Sequence, residues 1–218
     1  LVGSHDYFGP GCPLNVEGEQ NLTSIYRSED NGLTWRNVTH VSGAFWSNLF
    51  VHEGALYLFG TSAQYGHIVI RRSDDGGFTW TFPADEDSGL LARGGVYRDP
   101  PNYHTAPVPM VIHDGRIWRA FEDDCQQDHH RDFLSLVMSA PVDADLLKAS
   151  SWTMSNKLKF EHDKAPQYGD RATWLEGNVV VDPEGQLWNV LRFNSGNREK
   201  TVMNVAAFVR IEDESTQT

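Results

Sequence analysis

One eight-residue pattern occurs twice in this chain, starting at Ser28 and again at Ser73, 45 residues later. Residues 28–35 and 73–80 both read S-x-D-x-G-x-T-W, and an arginine precedes each copy. A period of about 40–45 residues is typical of the four-stranded antiparallel blades of a β-propeller. The Asp of such a turn caps backbone N–H groups, the Gly adopts a positive φ, and the Trp packs between neighbouring blades. We therefore predict equivalent turns on adjacent blades, with Trp35 and Trp80 largely buried.

The rest of the chain has the pattern of an all-β protein. Short runs of β-branched and aromatic residues alternate with Gly, Asp, Asn and Pro, and the only helical pattern is a turn or two at 143–150. Further hairpins with acidic-glycine turns continue the repeat. They place blade one at 1–43, blade two at about 44–83, blade three at about 104–155, and the start of blade four near 174.

These repeats amount to a partial propeller of about three and a half to four blades, fewer than most closed propellers contain. An open fan of blades leaves unpaired strand edges. The chain also begins at Leu1 without an initiator Met, which indicates a processed or truncated product. We expect residues 1–218 to form one incomplete propeller domain. The remaining blades would lie in an absent part of the chain or in a partner, and the oligomeric state stays open.

Charge and hydropathy exclude two classes of partner. The formal net charge is −12 and the chain has no run of Lys or Arg, so neither nucleic acid nor an anionic membrane surface is an expected partner. No segment approaches the roughly 18 consecutive apolar residues that a membrane helix needs. The negative net charge does not exclude an anionic small ligand, because a few arginines in a cleft can make the electrostatic potential there positive.

The cysteines and a histidine-rich loop give weak signals. Cys12 and Cys125 form either one disulfide or two free thiols. Cys125 also lies near Asp128, His129 and His130, but these candidate metal ligands are crowded into one polar loop. We therefore predict no catalytic metal and no cofactor, and leave a structural metal ion open.

At the two S-x-D-x-G-x-T-W turns, the Asp boxes of BNR repeats, the chain resembles the sialidase superfamily. Its closer resemblance is to the sialidase-like proteins of glycan-degrading bacteria. That resemblance implies a site at the centre of one propeller face, a glycan substrate, and an extracellular or periplasmic location. It rests on five segments, S-H-D-Y-F-G-P at 4–10, F-W-S at 45–47, Y-H-T-A-P-V-P at 103–109, W-R-A-F-E-D at 118–123 and W-L-E-G-N at 174–178.

The same segments supply all the candidate site residues except Arg192, which lies in a later strand, because the segments occupy inner strands or the loops leading into them. A His beside an Asp can act as general acid or base, and a lone carboxylate in an apolar strand is costly unless it is paired or used. Arginine forks bind carboxylates, and aromatic rings offer faces to sugars. The predicted catalytic residues are His5, Asp6, His104, Glu122 and Glu176, with Asp123 as a further carboxylate. The predicted substrate-binding residues are Trp46, Tyr103, Arg119, Trp174 and Arg192.

Three functions fit this set of residues. The first is an exo-acting glycoside hydrolase that uses two carboxyl groups. The second is a polysaccharide lyase, in which an Arg neutralises a uronate and a His or Tyr abstracts the C5 proton. The third is a propeller that binds glycan or protein without catalysis. The arginine triad and the Tyr–Glu pair of true sialidases cannot be placed in the sequence, so sialic acid is not the expected substrate.

Overall fold

A computed structural model describes residues 1–7, 21–95, 99–124, 132–169, 172–195 and 205–218. Within these ranges fifteen strands form four antiparallel sheets, and helix is limited to three 3-10 turns of three residues each. The all-β prediction is therefore confirmed. No helix in the described part of the chain is long and apolar enough to cross a bilayer. Cys12, Cys125 and residues 128–130 of the histidine-rich loop lie outside the described residues.

The first sheet follows its predicted blade boundaries, whereas the second begins where predicted and extends beyond 83 to Ala92. The first sheet has the order β1-β2-β3, and the second has the order β4-β5-β6-β7. Sheet one comprises β1 (Val2–Asp6), β2 (Leu22–Arg27) and β3 (Arg36–Ser42). Sheet two comprises β4 (Phe45–His52), β5 (Ala55–Thr61), β6 (Ile68–Ser73) and β7 (Leu90–Ala92).

The third and fourth sheets have the same antiparallel pattern. In sheet three the inner edge is split, because β8 and β9 both pair with β10. Sheet three comprises β8 (Tyr103–His104), β9 (Val111–His113), β10 (Arg116–Asp124), β11 (Phe133–Pro141) and β12 (Thr153–Met154). Sheet four comprises β13 (Thr173–Val181), β14 (Leu187–Asn194) and β15 (Ala206–Ile211).

The sheets pack face to face in chain order, and an apolar cluster fills each of the three interfaces. Successive side chains of a β-strand point to opposite faces, so one strand can contribute to two interfaces, as β10 does. Ile117 and Phe121 point into the cluster shared with sheet two, whereas Trp118 and Ala120 point into the cluster shared with sheet four. At two of these interfaces the strands meet directly, since β1 lies against β4 and β10 lies against β13.

The two repeat turns occupy equivalent places, as predicted, since one joins β2 to β3 and the other joins β6 to β7. In the second turn the Asp75 carboxylate accepts hydrogen bonds from the Thr79 amide (2.9 Å) and the Thr79 hydroxyl (2.6 Å). Asp30 accepts the same two bonds from Thr34, which lower the pKa of Asp30 to about 2. Both turns are therefore fixed by the same local hydrogen bonds.

The prediction that both repeat tryptophans are largely buried is wrong. Trp80 is half-buried and packs on the cluster between sheets one and two, which contains Ile25 and Leu58. Trp35 lies over Gly3 of its own sheet and remains 47% exposed. The difference arises because Trp80 faces the preceding sheet, and the described chain has no sheet on the corresponding side of Trp35.

Replacing Asp75 with Ala should lower the thermal unfolding midpoint by roughly 2–4 °C, because the turn loses its capping acceptor. Hydrogen bonds hold the pKa of Asp75 well below its ordinary value, so its contribution is present above pH 4 and is lost as the pH falls further. Unfolding scans between pH 2 and pH 7 would therefore show a shallower acid dependence in Asp75→Ala than in the wild type. An equal acid dependence in Asp75→Ala and the control Glu184→Gln would contradict this role.

Candidate active site

Two inner strands, β4 and β13, are irregular at the same place. The pairing register shifts between Phe45 and Asn48 in β4, and between Leu175 and Asn178 in β13. At these bulges Trp46 has a φ of 45° and Glu176 a φ of 57°. A non-glycine residue at positive φ costs about 1–3 kcal/mol and persists only where the surroundings enforce it. Bulges of this kind re-aim side chains, and here they do so for two of the predicted site residues.

A carboxylate from the preceding sheet holds each bulge. The Gly177 amide, directly after Glu176, donates a 2.7 Å hydrogen bond to Glu122 Oε1. The Trp46 amide donates in the same way to the Asp6 carboxylate. Asp6 ends β1 and Glu122 lies near the end of β10, so the two acids have equivalent positions. They link sheet one to sheet two and sheet three to sheet four.

This equivalence corrects the predicted position of His5 and Asp6. They were expected on the first strand of their blade, but the repeat turn follows β2, just as it follows β6 in sheet two. Strand β1 is therefore equivalent to β5, the second strand. Asp6 meets the bulge at Trp46 because β1 lies against β4, the inner strand of sheet two.

His104 and Glu122 form a buried pair in the third sheet. The two residues are cross-strand neighbours between β8 and β10, and His104 Nδ1 lies 3.1 Å from Glu122 Oε2. Only 3% of His104 and none of Glu122 is exposed. The imidazole ring is stacked at 5.5 Å on Tyr65, and the rings of Trp46 and Phe133 lie 6.1 and 5.3 Å away. Glu122 thus orients His104 with one oxygen and the Glu176 bulge with the other.

Asp6 has an environment unlike that of the other acids. Burial raises the pKa of Asp6 above the ordinary value. Hydrogen bonds from the Thr23 hydroxyl (2.6 Å) and the Trp46 amide lower the pKa, as do the nearby charges of His5 and Arg119, but the effect of burial is larger. A carboxyl group that retains its proton to higher pH is suited to act as a general acid.

Glu176 and Arg192 form the accessible part of the site. Glu176 Oε2 and Arg192 Nη1 are 3.1 Å apart, and their side chains are 30% and 58% exposed. Half-buried aromatic rings lie near them in sequence: Trp174 and Phe193, which pair across β13 and β14, both lie against Phe160, at 5.6 and 5.3 Å. This end of sheet four therefore carries both an accessible charged pair and an aromatic cluster.

His5 lies apart from this constellation. Its ring is exposed and stacks on Tyr26 at 5.2 Å, with Nε2 3.1 Å from the Tyr26 hydroxyl. Its connection to the candidate site is through its sequence neighbour Asp6, because the charge of His5 lowers the pKa of the Asp6 carboxyl group.

Two predicted substrate-binding residues and one predicted acid are buried and make their contacts within the protein. Arg119 is fully buried, and its guanidinium donates to backbone carbonyl groups, including those of Trp46 and Ala106. Tyr103 is 5% exposed within the core between sheets two and three. Asp123 is 3% exposed and accepts a 2.7 Å hydrogen bond from Lys157. All three are buried because their faces of β8 and β10 are covered by neighbouring segments.

The structure also adds residues that sequence reasoning missed. Tyr65, in the turn between β5 and β6, covers His104, and Thr23 in β2 binds Asp6. Neither residue belongs to a repeat or to a polar cluster in the sequence. Their contacts join different strands or different sheets, so no local pattern in the sequence indicates that these residues belong to the candidate site.

Replacing Gly177 with Ala should destabilise the fold by about 1–3 kcal/mol, the usual range for overpacking. A Cβ at this position would come within 2.4 Å of Asn189 Oδ1, and relief of that clash would displace the bulge that Glu122 holds. Chemical denaturation measures the effect. In the control Gly3→Ala, the added Cβ meets only the movable Trp35 ring, at 3.3 Å. A Gly177→Ala variant no less stable than Gly3→Ala would contradict the proposed tight fit.

No protein-family model matches this sequence, and no curated protein matches it with significance. Solved structures do match in fold. An α-L-arabinofuranosidase of Fusarium graminearum aligns with a TM-score of 0.61 at 18% identity, over 96% of this chain and 57% of that enzyme. A Trypanosoma rangeli sialidase aligns with a TM-score of 0.54 at 15% identity, over 88% of this chain and 27% of the sialidase.

A polysaccharide lyase is similar as well. An ulvan lyase, solved with a GlcA–Rha3S glycan, aligns with a TM-score of 0.54 at 13% identity, over 90% of this chain and 48% of the lyase. The chain thus spans less than two-thirds of each of these three proteins. At these identities the similarity defines the fold alone: the chain has the sialidase-like β-propeller fold, as the repeat turns predicted.

Proposed function

We propose that this chain carries the catalytic residues of a glycan-active enzyme, and that its reaction is exo-acting glycoside hydrolysis. The observation that carries the proposal is the contrast between two of the predicted catalytic carboxyl groups. Asp6 is largely buried with a raised pKa, whereas Glu176 is accessible and ion-paired with Arg192. Enzymes assign acid and base roles to carboxyl groups by separating their environments in this way.

In this mechanism Asp6 protonates the glycosidic oxygen of the leaving group. Glu176 acts from the other side of the sugar, either as the nucleophile or as the base that activates water. Arg192 is exposed enough to bind a carboxylate on an acidic sugar, and Trp174 and Trp46 offer ring faces. The substrate would be a complex glycan, with any acidic sugar bound at Arg192. Such a polymer would place the protein outside the cytoplasm, in the periplasm or the extracellular space.

The variants Asp6→Asn and Glu176→Gln test this assignment. Each should reduce sugar release by about 100-fold or more, the range expected on loss of a general acid or base. Activity is measured first on a panel of arabinan, rhamnose-containing and uronate-containing oligosaccharides, and then with the best substrate. The control is Glu184→Gln, which changes an exposed carboxylate in the turn between β13 and β14. Wild-type rates in both site variants would refute the assignment.

The pH dependence of hydrolysis gives a separate test of Asp6. A general acid must carry its proton, so kcat/KM should fall as the pH rises through the Asp6 pKa, which burial places above the ordinary value. In Asp6→Asn this decline should disappear together with most of the activity. A profile whose alkaline limb is the same in wild type and Asp6→Asn would show that another group is the acid.

One observation favours a lyase as the second candidate. The buried carboxylate of Glu122 holds His104 Nδ1, which leaves Nε2 as the nitrogen for proton transfer. In a lyase His104 would take the C5 proton of a uronate, the C4=C5 double bond would form, and the C4–O bond would break, with the leaving oxygen gaining a proton. Arg192 would stabilise the carboxylate while charge develops at C5.

Ultraviolet absorbance separates the two reactions, because only β-elimination creates an unsaturated uronate. Under the lyase alternative, uronate glycans would yield an absorbing product, and His104→Ala would abolish it. Under our proposal, products are saturated and Glu176→Gln is the more damaging change. Glycan binding with neither product would indicate a non-catalytic propeller.

A further inference from the structure

The buried guanidinium of Arg119 connects the backbones around the site. Arg119 lies on the face of β10 that packs against sheet two, and no part of it is exposed. It donates hydrogen bonds of 2.9 Å to the Trp46 carbonyl and 3.0 Å to the Ala106 carbonyl, and it also donates to the carbonyl of Phe59. One side chain therefore fixes the bulge at Trp46 and the segment that follows His104.

This cation has no carboxylate within ion-pair distance among the described residues. Its nearest compensating charges are Asp6 of sheet one and Glu122 of its own strand. Burial lowers the pKa of Arg119 to about 9, so the side chain is still cationic at neutral pH. A buried cation held only by carbonyl groups is costly, and attraction to two nearby acids offsets part of that cost.

We propose that Arg119 is a positioning residue for the site: it clamps the backbone beneath Trp46 and His104 and supplies the positive charge that Asp6 and Glu122 share. This gives Arg119 a role other than contact with substrate. The proposal deepens the proposed function, on which it rests for the importance of Asp6, but its electrostatic part is testable without a substrate.

Arg71 provides a matched control within the same fold. It is 4% exposed, and its guanidinium donates to three backbone carbonyls, those of Thr81, Ser42 and Gly43, at 2.9–3.1 Å. An aromatic ring, Phe82, lies 5.5 Å from it. Burial alone lowers its pKa, to about 10. Arg71 thus repeats the structural features of Arg119 without the two acids.

The groups that face these acids define the expected pH dependence. Asp6 is faced by the Thr23 hydroxyl, the Trp46 amide, the His5 ring and the Arg119 charge. Glu122 is contacted by His104 and the Gly177 amide. Of these groups, Arg119 is the one permanent charge. Its removal should raise the Asp6 pKa further, so the folded protein would keep that proton over a wider pH range than the unfolded chain.

The experiment compares denaturant unfolding of wild type, Arg119→Met and Arg71→Met from pH 4 to pH 8. Stability falls with rising pH wherever the folded state binds more protons than the unfolded state. The unfolding constant of Arg119→Met, divided by that of wild type, should therefore increase with pH, by about tenfold for each unit of added pKa shift. The same ratio for Arg71→Met should be constant. A constant ratio for both variants would overturn the proposal.

A second variant covers the case in which Arg119→Met folds poorly. At pH 8, adding Asp6→Asn removes the carboxylate charge that lost its cation, so it should raise the unfolding midpoint or the folded fraction of Arg119→Met. The same addition to Arg71→Met should give no such rescue. Equal effects in the two backgrounds would overturn the charge coupling. Inactivity of the wild-type protein on every glycan would refute the proposed function and leave this comparison unchanged.

Discussion

The structure depends on the burial of sheet faces against one another in chain order. An isolated sheet of three or four strands leaves apolar side chains in water on both faces, and only a neighbouring sheet covers them. Strand β10 serves two interfaces at once, with Phe121 on one side and Ala120 on the other. Because the sheets pack in this way, the ends of β1 and β10 are brought against β4 and β13, the first strands of the following sheets. The candidate site is built around these two contacts.

The polar contacts at these junctions serve both folding and the candidate chemistry. Asp6 and Glu122 each accept a hydrogen bond from a backbone amide in a strained bulge of the following sheet. These bonds stabilise a backbone conformation that would otherwise be unfavourable. The same bonds aim Trp46 and Glu176 and orient His104. Substitution of such an acid therefore affects stability as well as activity, and only the comparison of the two measurements separates the effects.

Sequence reasoning singled out several residues that the structure brings together, but it could not tell which of its candidates are buried in the core. His104, Glu122 and Glu176 lie in segments that the family resemblance singled out, and the structure joins their strands. Tyr103 and Arg119 lie in the same segments, yet they are buried. In a strand, neighbouring residues face opposite sides, so membership of a segment does not tell which side chain faces the site and which faces the core.

The sequence by itself determined the repeat turns, because these depend on contacts between residues close along the chain. The bond from Thr79 to Asp75, for example, spans four residues. The tertiary structure alone decided the roles of Arg119 and Glu122, whose partners Trp46 and Gly177 are 73 and 55 residues away. It also decided that Trp80 is half-buried whereas Trp35 is exposed, although the two turns have the same pattern. Burial and charge coupling are set by which sheets meet, and no local pattern in the sequence specifies that meeting.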